Sequence, residues 1–191
     1  MVRCLALSLA LIVGLAGCAG FIVGGAAASI SVAHDRRAAG TVVEDQAIEF
    51  KIYSEIDQDK GLVGQSHINV TSYNNAVLLS GEIPSPEAKQ SVEGIASNTD
   101  EVKQVYNELV IAAPSSLANR NADAWITTKV KSALFTIQHI PDFDPSRVKV
   151  VTERGVVYLF GLLTKVEADA VIEVVRQVGG VQQVVTLFEE I

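Results

Sequence analysis

The chain has 191 residues, a formal net charge of −7, 49% apolar residues and 6% aromatic ones. With no basic run and no basic patch interleaved with aromatics, that acidic balance argues against nucleic acid as a partner. The charge is uneven: residues 43–112 hold 4 basic and 12 acidic side chains, residues 121–191 hold 7 and 9, so the first half is a poor ligand for any polyanion.

Met1-Val2-Arg3 followed by the apolar stretch 5–15 has the charged start and hydrophobic run of a secretory signal. It ends in Leu15-Ala16-Gly17-Cys18, which resembles the bacterial lipobox. That resemblance implies removal of residues 1–17 and lipidation at the Cys18 thiol. Cys4 lies in the part removed, so the mature chain keeps one Cys and no internal disulfide. A transmembrane helix running on to Ala33 is the competing reading, but Gly14, Gly17, Gly20, Gly24 and Gly25 interrupt it. Residues 18–40, small and uncharged as far as His34-Asp35-Arg36-Arg37, read as a lipidated tether. One acyl chain binds a bilayer only marginally; the two or three that a lipobox implies anchor it durably. Ala19 stands where an Asp would imply retention at the inner membrane, so the resemblance points to the periplasmic face of the outer membrane.

Thr41 and Glu44 have capping-box spacing and predict a helix over 41–57, with Ile48, Ile52 and Ile56 as its core stripe. Residues 67–81, HINVTSYNNAVLLSG, then read as a hairpin with Asn74-Asn75 at its tip. Ser85-Pro86-Glu87 opens a second helix, with Ala88, Val92, Ile95 and Ala96 inward, and residues 102–111 form a third strand. After a linker the plan repeats. Ile126, Val130, Ala133 and Leu134 mark one helix face, and residues 147–161, RVKVVTERGVVYLFG, form a hairpin around Arg154-Gly155. Thr164 and Glu167 cap a helix that buries Val171, Val174, Val175 and Val178; Gly179-Gly180 stops it before a strand over 181–188.

The two hairpins match position by position: Ile68 with Val148, Val70 with Val150, Asn75 with Gly155, Val77 with Val157, Leu79 with Leu159 and Gly81 with Gly161. The fold class is α+β: two tandem αββαβ units, each a small three-stranded mixed sheet with two helices on one face. The second strands are apolar at consecutive positions, as in Val156-Val157-Tyr158-Leu159-Phe160, so their outer faces need cover from the other repeat or the tether. The expected boundaries are 1–17 signal peptide, 18–40 tether, 41–112 first unit, 113–120 linker and 121–191 second unit.

This element order, with a hairpin ending in Gly and Gly180-Val181 leading into the last strand, resembles the BON domain of bacterial envelope proteins. The first copy departs from it with Glu101-Val102. The stretches NVTSYNNAVLLSG from Asn69 and AWITTKVKSALF from Ala124 are similar to outer-membrane lipoproteins carrying two BON domains. The resemblance implies a non-enzymatic protein that binds phospholipid and supports envelope integrity.

Nothing in the residues points to catalysis or a cofactor. His34, His67 and His139 lack metal-ligand spacing and a partner Cys, and no phosphate loop or nucleophile elbow is present. Trp125 is the residue the repeat does not require, since Ala47 holds its place in the first copy. With Thr128, Lys129, Lys131 and Ser132 it forms a candidate phospholipid-contact face, an indole beside ammonium groups suited to anionic headgroups. The expected lipids are phosphatidylglycerol or cardiolipin, and the competing role for Trp125 is to fill the interface between the repeats. The first helix carries Glu44, Asp45, Glu49, Glu55 and Asp57 against Lys51, and should be repelled by an anionic bilayer. The rival function is a protein-interaction module whose acidic first unit binds an envelope assembly or wall-remodelling partner.

Overall fold

The computed structural model describes residues 35–62 and 64–191. The expected signal peptide, Cys18 and most of the expected tether lie outside the described residues.

Helix α1, Ala39–Ile56, starts two residues earlier than its sequence predicts. Its N-cap is Ala38, which offers no side-chain hydrogen bond, and Thr41 lies within the helix, so the Thr41–Glu44 capping box does not form. A tertiary contact fixes this start instead. Arg37 Nη1 donates to Asp45 Oδ2 at 2.6 Å, and the guanidinium lies 3.9 Å from the centre of the Tyr73 ring. Strands β1 (His67–Tyr73) and β2 (Ala76–Ile83) pair antiparallel, then α2 (Pro86–Asn98) follows with Ser85 as N-cap and Pro86 in its first turn. Strands β3 (Gln104–Asn107) and β4 (Val110–Ile111) both run parallel to β2. They continue one register, Leu79 opposite Asn107 and Glu82 opposite Val110, and amount to one third strand interrupted where Leu109 turns into the core.

The second repeat opens with α3, Leu117–Leu134, capped by Ser116, so its first turn takes residues that read as linker. A short 3-10 turn at Pro145–Arg147 leads to β5 (Lys149–Glu153) and β6 (Val156–Leu163), then α4 (Lys165–Arg176) and β7 (Gln183–Glu190), parallel to β6. Here the Thr164–Glu167 capping box forms as its spacing predicts. Both hairpins close through two residues of positive φ, Asn74 and Asn75 at 53° and 67°, Arg154 and Gly155 at 54° and 74°. Gly81, with φ of 112°, has no room for a side chain, because a Cβ there would meet the His67 carbonyl oxygen.

Each repeat builds its own core on one sheet face. Ile48, Ile52 and Ile56 of α1 and Val92 and Ala96 of α2 close on Val70, Val77 and Leu79. Ile126, Val130 and Leu134 of α3 and Val171 and Val175 of α4 close on Val150, Val157 and Leu159. Alternation along the strands sends the intervening residues to the opposite face, and there the two sheets meet. Tyr73, Leu78, Tyr158 and Phe160 are buried in this third cluster, with the Tyr73 and Phe160 rings stacked at 5.7 Å. The other repeat is therefore what covers the doubly apolar second strands. Burial pushes the Tyr158 hydroxyl up to about 12, with the nearby charges of Glu108 and Glu153 adding to the shift.

Polar groups frame this seam. Lys149 Nζ donates to the Ser72 carbonyl at 3.0 Å and lies 3.2 Å from Glu49 Oε1, while Asn74 Nδ2 donates to Glu189 at 2.7 Å. The Arg36 guanidinium, from the stretch read as tether, grips both oxygens of Glu167 at 2.7 and 2.8 Å and the Leu162 carbonyl at 2.9 Å. Burial alone would push the Glu167 carboxyl up; donors from Arg36 and Thr164 outweigh it and hold the group below its ordinary range.

Candidate functional site

Helix α3 buries one stripe and leaves its outer face to solvent. Trp125 is 63% exposed, which excludes the interface-filling role. Leu117, 75% exposed, and Phe135, 68% exposed, stand at the two ends of the helix. Eighteen residues are five turns, so both lie on one side of the axis, about 27 Å apart. Thr128 and Ser132 fall between them. Their hydroxyls donate back along the helix, Thr128 Oγ1 to the Ala124 carbonyl at 3.0 Å and Ser132 Oγ to the Thr128 carbonyl at 2.9 Å. Both residues thus turn their methyl or methylene groups outward rather than a free donor.

The two lysines differ. Lys131 is exposed on the flank of this face. Lys129 is half-buried, and its ammonium donates to the Gly179 carbonyl just beyond α4, tying the two helices together. The arrangement therefore groups Trp125, Thr128, Lys131 and Ser132 at one surface and gives Lys129 an internal partner. Leu117 and Phe135 were not among the sequence candidates. Leu117 sat in the presumed linker, and Phe135 lies at the end of AWITTKVKSALF, eighteen residues or five turns beyond Leu117, a same-side spacing hidden as long as Leu117 read as linker.

The helix carries a second device that periodicity does not reveal. Asp123, buried, accepts the backbone N–H groups of Arg154 at 3.0 Å and Gly155 at 2.8 Å, clamping the hairpin turn to the helix. Asp45 of α1 does the same for Asn74 and Asn75, each at 2.8 Å, and also accepts the Ser72 hydroxyl at 2.6 Å. Asp45 is thus no part of an exposed acidic surface. Glu49 also turns inward, accepting Ser72 N–H at 2.8 Å beside Lys149. Two of the five acids counted against membrane contact by the first helix are spent on the fold.

A family model for the BON domain matches residues 44–113 and again 122–189. The chain belongs to the BON-domain family. It is 34% identical over 185 residues to the "Outer membrane lipoprotein DolP" of Haemophilus influenzae, covering 97% of this chain and 94% of that protein. It is also 36% identical over 151 residues to a "21 kDa hemolysin" of Actinobacillus pleuropneumoniae, covering 79% and 76%. Among solved structures, the structural protein CdsD of the Chlamydia trachomatis type III secretion system aligns over 74% of this chain and 91% of its own, at 12% identity and a TM-score of 0.31, too loose a likeness to carry an argument. The clamping aspartate stands at the same place in both BON domains, whereas the exposed indole belongs to the second alone. Among the described residues, no helix is long and apolar enough to cross a membrane.

The sheet-to-sheet seam of the two BON domains also gathers side chains far apart in the sequence. His67 Nδ1 lies 3.2 Å from Glu82 Oε2 and 3.7 Å from Glu153 Oε1. Burial would push Glu82 up, but donors from Ser115 N–H, Arg154 and His67 more than offset that and hold it below the ordinary carboxylate range. Glu153 goes the other way: burial holds it above that range despite His67 and Asn69. No linear spacing announces this cluster, because its members come from β1, β2 and β5.

Proposed function

We propose that this protein is an outer-membrane lipoprotein, anchored through acyl chains on Cys18 and facing the periplasm, whose second BON domain docks α3 on anionic phospholipid and thereby supports envelope integrity. The observation that carries the reading is the exposed Trp125 on a helix whose other face already fills a core, flanked by exposed Leu117 and Phe135. A soluble domain gains nothing by holding three large apolar side chains in water along one helix. Against a bilayer the same residues enter the headgroup boundary, with Lys131 beside phosphate. The lipobox and the similarity to a protein named as an outer membrane lipoprotein support the anchor and the location. Phosphatidylglycerol and cardiolipin both supply the headgroup charge. The anchor keeps α3 at high local concentration near lipid, so a weak contact suffices to orient the protein.

The test is co-sedimentation of the chain from Ala19 onward with anionic or neutral vesicles at low and high salt. Anionic vesicles are expected to retain it, with binding lost in Trp125→Glu and weakened by salt and by Lys131→Glu. Lys129→Glu is a poor probe, because it also releases the Gly179 carbonyl. Equal sedimentation of wild type and Trp125→Glu would remove the membrane role from this face.

A second reading, a protein partner on the first BON domain, draws on α1, where Val43 and Phe50 are 66% and 74% exposed one heptad apart. It predicts binding to an envelope protein that Phe50→Glu abolishes and Trp125→Glu leaves alone.

A further inference from the structure

We propose that His67, Glu82 and Glu153 form a zinc site that staples the two BON domains together. The imidazole Nδ1 and one oxygen from each carboxylate lie within 4.8 Å of one another. Around a tetrahedral zinc with ligand bonds of about 2.0–2.1 Å, ligand atoms sit about 3.4 Å apart. The His67 distances, 3.2 Å to Glu82 and 3.7 Å to Glu153, bracket that edge.

The decisive observation is Glu153 Oε1. It is buried, it points toward His67, and no hydrogen-bond donor reaches it. The rest of the cluster is built to aim at the same point. Glu153 Oε2 accepts from Asn69 Nδ2 at 2.6 Å; Glu82 Oε1 accepts from Arg154 Nη1 at 3.2 Å, and Glu82 Oε2 from Ser115 N–H at 3.0 Å. Such donors behind the ligands fix carboxylate orientation in metal sites. A cleft of about 240 Å³ is lined by Glu153 and Arg154 on one side of the cluster.

The donor set, one imidazole nitrogen and two carboxylate oxygens without sulfur, suits zinc better than the harder magnesium or calcium, which take oxygen donors alone. The two carboxylates carry two negative charges toward the ion, with Arg154 on the far oxygen of Glu82, and the fourth position is left for water. Binding takes the lone pair of Nδ1, so any proton on that nitrogen leaves to solvent. His67 and Glu82 belong to the first BON domain and Glu153 to the second, so a bound ion ties the pair across its seam.

The test uses the full chain in detergent micelles, stripped with a chelator and then titrated with zinc chloride by equilibrium dialysis. One zinc per chain is expected, with magnesium and calcium failing to compete. His67→Gln and Glu153→Gln should each weaken binding by about tenfold or more, and His139→Gln, in an exposed loop, should not. Zinc should also raise the melting temperature of the unaltered chain, a readout that does not depend on any variant folding. No stoichiometric zinc, no change in melting temperature, equal competition by magnesium, or unchanged affinity in both ligand variants would each overturn the proposal.

Discussion

The two BON domains use one fold for two different surfaces. Both place an aspartate of the first helix under the hairpin turn, both bury a stripe repeating every four residues, and both close the hairpin with two residues of positive φ. Outside those constraints they part. Helix α1 presents Val43 and Phe50 among acidic neighbours, while α3 presents Leu117, Trp125 and Phe135 beside Lys131. The features shared by the two copies are those the chain needs to fold. The features that differ are where function is free to reside, and the difference is one of charge around an exposed aromatic.

The comparison is most sharply broken at the aspartates. Asp45→Ala removes the acceptor for two turn amides, a buried hydroxyl and the Arg37 guanidinium, a loss of about 3–5 kcal/mol. Asp123→Ala, with two amides and no arginine, should cost less, about 1–3 kcal/mol. Urea denaturation of the two variants checks the order, and equal losses would show that the Arg37 and Ser72 contacts together contribute nothing.

The surfaces are compared by placing Glu at Phe50 or Trp125. Trp125→Glu is expected to weaken anionic-vesicle binding by about tenfold or more, since burying an aromatic of this size is worth about 1.5–3 kcal/mol. Phe50→Glu should leave it unchanged. Vesicle titration of both variants measures the contrast directly.

A smaller effect concerns the turn into the last strand of each domain. Glu101 has φ of 70° where the second domain has Gly180 at 103°. Glu101→Gly should therefore stabilise the protein by about 1 kcal/mol, and Gly180→Ala should destabilise it by about 1–3 kcal/mol, the new Cβ also crowding Ile126 at 3.1 Å. Paired thermal melts test both signs.

The smallest effect is a pH dependence carried by Arg36 and Glu167. The folded carboxyl lies below its ordinary value of 4.5, so its contribution is complete above that value and is lost as the pH falls through the folded one. Stability of the native chain should fall across that acid range more steeply than that of Glu167→Gln, as measured by urea midpoints at stepped pH.

Much of this architecture is legible in the residues. The hairpin tips, the core stripes of all four helices, the Ser85 cap and the Thr164–Glu167 box depend on neighbours within a few positions, and the backbone obeys them. Where the local signal failed it was overruled from a distance. Thr41 and Glu44 have the right spacing for a cap, yet Arg37 on Asp45 and Tyr73 fixes an earlier helix start. Leu117 looks like linker until Ser116 begins a helix there.

What the sequence by itself determined was the doubled αββαβ plan and which apolar residues face inward, because hydrophobic periodicity repeats over a single element. Tertiary structure alone decided the destinations of the polar groups that reach beyond their own element. Asp45, Glu49 and Asp123 hold hairpins, Lys129 holds a helix end, Arg36 reaches from ahead of the first domain to the second, and His67, Glu82 and Glu153 converge between two sheets. A charged side chain is at home in water by default, so its type and spacing carry no mark of the partner that packing will bring to it.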